Sequence, residues 1–343
     1  AFSNETLCVI LERQKTERKF EMKKTSFLLI LLLTSFVCQS QKFENINVLK
    51  IDTTEIVQIG GIKQFISIKG NNKENPILLF LHGGPGTSLI ESSEKFTEKL
   101  KNEFVVVNWD QRETGETGKI NSVNENLTPE LFKNDAYELI KYVLDKFKHK
   151  KLYLVSHSWG SVLGFDIAEK HSELLYAYIP ISPIVDQNKA SKLTMEMLNN
   201  WAIKTKNSNA ITELNLVKIP FENQNDLFYS QKWLFIHNGV EFARKEDFKT
   251  NYYKWLATWF PIWKKSTENN LFETLRKINC PIYFIEGNGD KLKSHYIVKD
   301  YFEFIKAPKK KMFWMKKSGH TVYNSEPEKL QKIIIEKIKP ETL

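Results

Sequence analysis

The sequence predicts an α/β fold: a mostly parallel sheet covered by helices on both faces, with a helical segment inserted late in it. Three observations carry this. Continuous apolar runs such as Ile77-Leu78-Leu79-Phe80-Leu81 and Leu152-Tyr153-Leu154-Val155 suit strands buried on both faces, since a half-exposed strand would alternate instead. These runs alternate with segments whose apolar residues recur at three and four. Each run also ends in polar and glycine residues, at the strand ends where parallel sheets keep their chemistry.

In chain order, Glu55–Ile59 and Ile62–Ile68 flank Gly60-Gly61 and read as an antiparallel hairpin. Asn75-Pro76 precedes the 77–81 strand, which ends in His82-Gly83-Gly84-Pro85-Gly86. Phe104–Val107 is a further buried strand, ending in Asn108-Trp109-Asp110-Gln111-Arg112. Leu131, Ala136, Leu139, Ile140, Val143, Leu144 and Phe147 then predict a helix, with Thr128 as its N-cap and Pro129 at its first position. The strand from Lys151 to Val155 leads through Ser156-His157-Ser158-Trp159-Gly160-Ser161 into a helix from Val162 to about Lys170. Ala177–Ile181 is the next strand. Residues 188–277 are polar, helix-like and rich in aromatics, too long for a structureless loop, and predict a helical lid between a first core part (41–187) and a second (278–343). In the second part Cys280–Ile285 ends in Glu286-Gly287-Asn288-Gly289-Asp290, a helix passes through Tyr296, Tyr301 and Ile305, and Met312–Met315 runs into Lys316-Lys317-Ser318-Gly319-His320. A helix from Pro327 to Ile338 closes the chain.

The first 40 residues are set apart from this fold. Met22-Lys23-Lys24 followed by the apolar stretch Phe27–Val37 reads as a secretory signal, too short to span a membrane comfortably. Cys38 and Ser40 suit cleavage before Gln41, so export to the periplasm or the outside is expected, without stable membrane insertion. Lipid anchoring through Cys38 is the alternative, opposed by bulky Phe36 and Val37. Residues 1–21 read as an upstream extension. Beyond the leader Cys280 is the single cysteine, which leaves no internal disulfide and no paired-cysteine metal site. No HExxH pattern occurs, and no cofactor is expected. The 343 residues, 41% hydrophobic and 27% charged, are those of a globular chain. Of the formal charge of +9, the leader region holds six basic and four acidic side chains, leaving +7. The lysines are scattered, which argues for solubility and against nucleic acid as a partner.

Strand, tight turn, serine, small residue and helix are the layout of a nucleophile elbow around Ser158. The usual pattern opens with Gly, where this chain has Ser156, the next smallest occupant. A serine hydroxyl needs a base within hydrogen-bond reach and a third group to orient that base. Asp290 and His320 stand at the ends of two later strands, in the order Ser, Asp, His. Glu286 is the runner-up for the acid, less able to reach a histidine because it lies closer to the strand. An oxyanion needs backbone N–H donors; Trp159 supplies one and the Gly83-Gly84 turn another. His82 reads as a brace for that turn.

The His82–Gly86 motif, Trp109-Asp110-Gln111-Arg112 and the elbow together resemble the prolyl aminopeptidase (proline iminopeptidase) branch of the α/β-hydrolases, over the core on both sides of the lid. The resemblance implies a serine hydrolase that removes an N-terminal residue, often proline, from small peptides. Carried over by position, Ser158, Asp290 and His320 form the triad and Gly84 and Trp159 give the oxyanion donors. The chain departs from the family at Glu113, where Gly is usual, and at Phe260, which follows Trp259 where an acidic residue binds the substrate amine. Glu241 and Glu246, or Asp247, are the lid carboxylates left for that role. An esterase or amidase acting on small hydrophobic substrates is the alternative, and a non-catalytic binding protein the remote one. Carboxylate-nucleophile chemistry of the epoxide hydrolase or dehalogenase kind is opposed by Ser158.

Overall fold

A computed structural model describes residues 49–122, 126–290 and 295–342. The proposed leader, Cys38 and residues 1–21 lie outside the described residues. Eight strands form one sheet: β1 (Ile51–Ile59), β2 (Ile62–Gly70), β3 (Ile77–Leu81), β4 (Val105–Asp110), β5 (Leu152–His157), β6 (Leu175–Ile181), β7 (Ile282–Gly287) and β8 (Lys310–Met315). Their order is β1-β2-β4-β3-β5-β6-β7-β8. β1 and β2 form the predicted hairpin and β2 joins β4 antiparallel, while every pairing from β4 to β8 is parallel.

β3, β4, β5 and β7 are buried along their whole length, as their unbroken apolar runs require. Alternate side chains serve two cores. Leu79 and Leu81 face the layer holding helices Pro129–Phe147 and Gly160–Lys170, whereas Leu78 and Phe80 face the layer that contains Phe96, Leu100, Leu330 and Ile334. Helix Pro129–Phe147 starts as predicted, with Thr128 Oγ1 accepting the Leu131 N–H and proline at its first position. The hairpin strands run four residues earlier and two later than the sequence suggested. The β1 extension alternates between half-exposed and exposed residues, a weaker signal than a buried run.

Between β6 and β7 the chain builds helices Gln187–Lys204, Ser208–Leu214, Gln224–His237 and Asp247–Thr267. Leu198, Ala202, Leu214, Trp233 and Leu234 give this insertion a small core of its own. Cys280 is buried just before β7, and burial pushes its thiol up to about 12, which leaves it unreactive at neutral pH.

The Arg112 end of the second resemblance motif is structural. Its guanidinium grips Asp135 with two nitrogens, at 2.5 and 3.0 Å, and both side chains are buried. Gln64 Nε2 donates to the same carboxylate at 2.8 Å, tying β2 to the loop after β4 and to helix Pro129–Phe147. Removing one partner of a buried pair strands the other charge. Arg112→Met is therefore expected to destabilise the fold by about 3–5 kcal/mol, read as a lowered urea midpoint.

Candidate active site

Ser158 sits between β5 and helix Gly160–Lys170 with φ +51, a left-handed backbone that an L-residue adopts at a cost. The turn is tied to the next strand by the Ser158 N–H, which donates to the Ile181 carbonyl at 3.0 Å. A Cβ at Gly160 would stand 2.4 Å from the Leu81 carbonyl oxygen and 2.6 Å from that of His82. Both are main-chain atoms, so only glycine fits. On the near side of the turn Ser156 is fully buried, and its hydroxyl pairs with the Tyr178 hydroxyl at 2.7 Å. That partner is what lets a serine occupy the tight position.

His320 and Asp290 are brought together from the ends of β8 and β7. The His320 Nδ1–H donates to Asp290 Oδ2 at 2.7 Å, and Asp290 is buried. A carboxylate on Nδ1 fixes the proton there and leaves Nε2 as the basic nitrogen. His320 and Ser158 line one cavity of about 790 Å³. The His320 main chain is itself held from the elbow: His157 Nε2–H donates to the His320 carbonyl at 3.1 Å. Sequence reasoning gave His157 no role, although its place next to the nucleophile put it within reach of the neighbouring strand ends.

The His82–Gly86 loop lies beside the serine. A Cβ at Gly83 would meet Ser158 Cβ at 3.0 Å. The N–H groups of Trp159 and Gly84 donate to no main-chain carbonyl among the described residues; Gly84 lines the cavity, whereas Trp159 is fully buried. His82 braces the loop as expected. Its Nδ1–H donates to the Gly83 carbonyl at 3.0 Å, and its Nε2 accepts the Gln111 N–H at 3.2 Å. Burial pulls its pKa down to about 4, so it stays neutral and cannot bind a second proton near pH 7. From the insertion, Trp255 Nε1 donates to the Pro85 carbonyl at 3.0 Å, and the Trp259 ring lies where a Cβ on Gly86 would fall. Helix Asp247–Thr267 thus clamps the His82–Gly86 loop.

The cavity wall contributed by the insertion includes Leu227, Phe235, Phe242 and Phe248, with Lys245 and Asp247 as its charged members. Neither Glu241 nor Glu246 lines it. Both are exposed, and Glu241 faces Arg244 at 3.9 Å. The reason is helical geometry. Asp247, Asn251 and Trp255 recur at four-residue spacing and share the cavity-facing side of one helix, whereas Glu246 precedes that helix as its N-cap. The signal that singles out Asp247 is its register with Trp255. Phe260 is buried and does not line the cavity. Glu113, at the position where the resemblance leads one to expect glycine, has φ +55, which explains why glycine suits that turn.

Glu286 ends up behind Asp290, fully buried at the end of β7, while Asp290 is the carboxylate that touches His320.

The geometry agrees with what comparison with known proteins finds. Residues 76–327 match the alpha/beta hydrolase fold family. A probable aminopeptidase of Bacillus subtilis is 28% identical over 290 residues, which cover 79% of this chain and 91% of the relative. A proline iminopeptidase of Lactobacillus acidophilus is 24% identical over 271 residues, 74% of this chain and 87% of its own. Among solved structures, the proline iminopeptidase of Mycobacterium smegmatis superposes with a TM-score of 0.58 at 15% identity, over 84% of this chain and 99% of that one. At that identity the superposition speaks for the fold alone. With a matching family profile across the core, an elbow at the end of β5 and a buried aspartate and half-buried histidine after β7 and β8, this chain belongs to the α/β-hydrolase family.

Proposed function

We propose that the protein is a serine hydrolase working through an acyl-enzyme, and that it releases an N-terminal residue, of the proline type, from small peptides. The observation that carries this is the opening of the strained Ser158 turn into the same cavity as a histidine whose Nδ1 is already engaged by Asp290. In this reading His320 Nε2 takes the Ser158 proton as Oγ attacks the substrate carbonyl. The charge that develops on the carbonyl oxygen is met by the Trp159 and Gly84 N–H groups. Asp290 stabilises the imidazolium, which hands its proton to the leaving amine, and water then releases the acyl group by the same base.

Asp247 supports the aminopeptidase form of the reading, because a free ammonium entering an apolar cavity needs an anionic partner. The aminopeptidase and iminopeptidase names of the sequence relatives point the same way. Asp247→Asn is expected to raise KM for a free-amine substrate about fivefold to tenfold, a modest effect because Asp247 is exposed. The N-acetylated substrate should be untouched by that change.

An esterase or amidase is the second reading, favoured by the apolar wall of Leu227, Phe235, Phe242 and Phe248. Steady-state kinetics on proline arylamide and its N-acetyl counterpart separate the two. Strong preference for the free amine is expected; equal rates would move the assignment to the esterase or amidase. The basic and apolar leader at 22–40 supports an exported site of action.

A further inference from the structure

Behind the His320–Asp290 pair lies a second carboxyl that the reaction above does not use. Glu286 is fully buried near the end of β7. Neither of its carboxyl oxygens meets an N–H or hydroxyl donor among the described residues, and the group in hydrogen-bond contact with it is the Asp290 carboxyl. Two carboxylates in contact and away from water cannot both be ionised, so such a contact is held by a proton that one of them keeps.

His320 decides which one. Asp290 accepts its Nδ1–H at 2.7 Å, an interaction that favours the Asp290 anion, whereas Glu286 has no donor to stabilise a charge. Burial, and after it the Asp290 charge, holds the Glu286 carboxyl well above the usual range. At this level of the sheet the strand partners are uncharged: Ile285 pairs with Ile181 on β6, and Glu286 with Trp314 on β8. The next residue, Gly287, presses on the loop that carries the base, since a Cβ there would stand 2.1 and 2.7 Å from the Gly319 and Ser318 carbonyl oxygens.

We propose that Glu286 is a positioning residue: it keeps the proton of the carboxyl pair and donates it to Asp290, which fixes the Asp290 carboxylate against His320 and leaves a single negative charge behind the imidazole. This rests on the reading of Ser158, His320 and Asp290 as one catalytic unit.

Wild type, Glu286→Gln and Glu286→Leu test it in two ways. A carboxyl that keeps its proton when folded but loses it when unfolded contributes full stability below its ordinary value of 4.5 and costs progressively more as pH rises above it. The urea midpoint of Glu286→Gln relative to wild type should therefore climb as pH rises above about 4.5. A difference constant with pH would overturn the protonated Glu286, whether or not the protein hydrolyses peptides. In pH profiles of kcat/KM, Glu286→Gln, which still donates, should stay within about threefold of wild type with its acidic limb unmoved, and Glu286→Leu should lose about tenfold to a hundredfold. An acidic limb moved down by about half a unit or more in Glu286→Gln would mean that Glu286 had been an anion. Equal losses in the two variants would remove the positioning role. Failure of the folded wild type to react with a fluorophosphonate would overturn the catalytic reading, and the positioning role with it, while the urea midpoints still decide where the proton sits.

Discussion

Ser158→Ala is expected to lower kcat/KM by about 10⁵-fold while leaving the fold in place. The side chain opens into the cavity beside His320 rather than into the core, and alanine keeps the Cβ that the elbow already accommodates. What is lost is the atom proposed to form the acyl-enzyme. The proposed backbone donors and the cavity remain, so a residual rate above the uncatalysed one should persist. Ser158→Gly should lose activity equally and gain about 1 kcal/mol of stability, because φ +51 costs glycine nothing. A pair of variants equally inactive but shifted apart in urea midpoint separates nucleophile loss from misfolding.

The second largest effect is expected at Asp290. Asp290→Asn preserves shape and burial but places an amide where a carboxylate now accepts the His320 Nδ1–H at 2.7 Å. If the amide N–H₂ faces the ring, the imidazole must carry its proton on Nε2, the nitrogen needed as base. In the proposed mechanism the imidazolium formed during attack also loses its counter-charge. Together these should cost about 10⁴-fold in kcat, with KM little changed because Asp290 is buried away from the cavity wall. The variant distinguishes Asp290 from Glu286, the other carboxyl near this strand end. Were Glu286 the acid, Asp290→Asn would cost far less.

Much of this arrangement is legible in the sequence because it depends on local signals. An apolar run without alternation, as in Ile77–Leu81 or Leu152–Val155, specifies a strand covered on both faces, and the polar residues just beyond it fall at the carboxyl end of the sheet. Ser158, Asp290 and His320 could be picked out for that reason. The insertion was harder to read. Helices Gln224–His237 and Asp247–Thr267 are rich in aromatics, and which of Glu241, Glu246 and Asp247 faces the cavity follows from the register of one helix against the His82–Gly86 loop, a tertiary fact. His157 and Glu286 illustrate the same limit. Each lies within a few residues of a recognisable motif, yet the bond from His157 to the His320 carbonyl and the contact of Glu286 with Asp290 arise from packing between strand ends.

The most direct test of the central claim is the mass of the intact folded protein after treatment with a fluorophosphonate, followed by peptide mapping. A single adduct on Ser158 is expected in wild type, absent from Ser158→Ala and formed much more slowly in Asp290→Asn. Folded wild-type protein that acquires no adduct, or an adduct that survives Ser158→Ala, would contradict the assignment of Ser158 as the nucleophile.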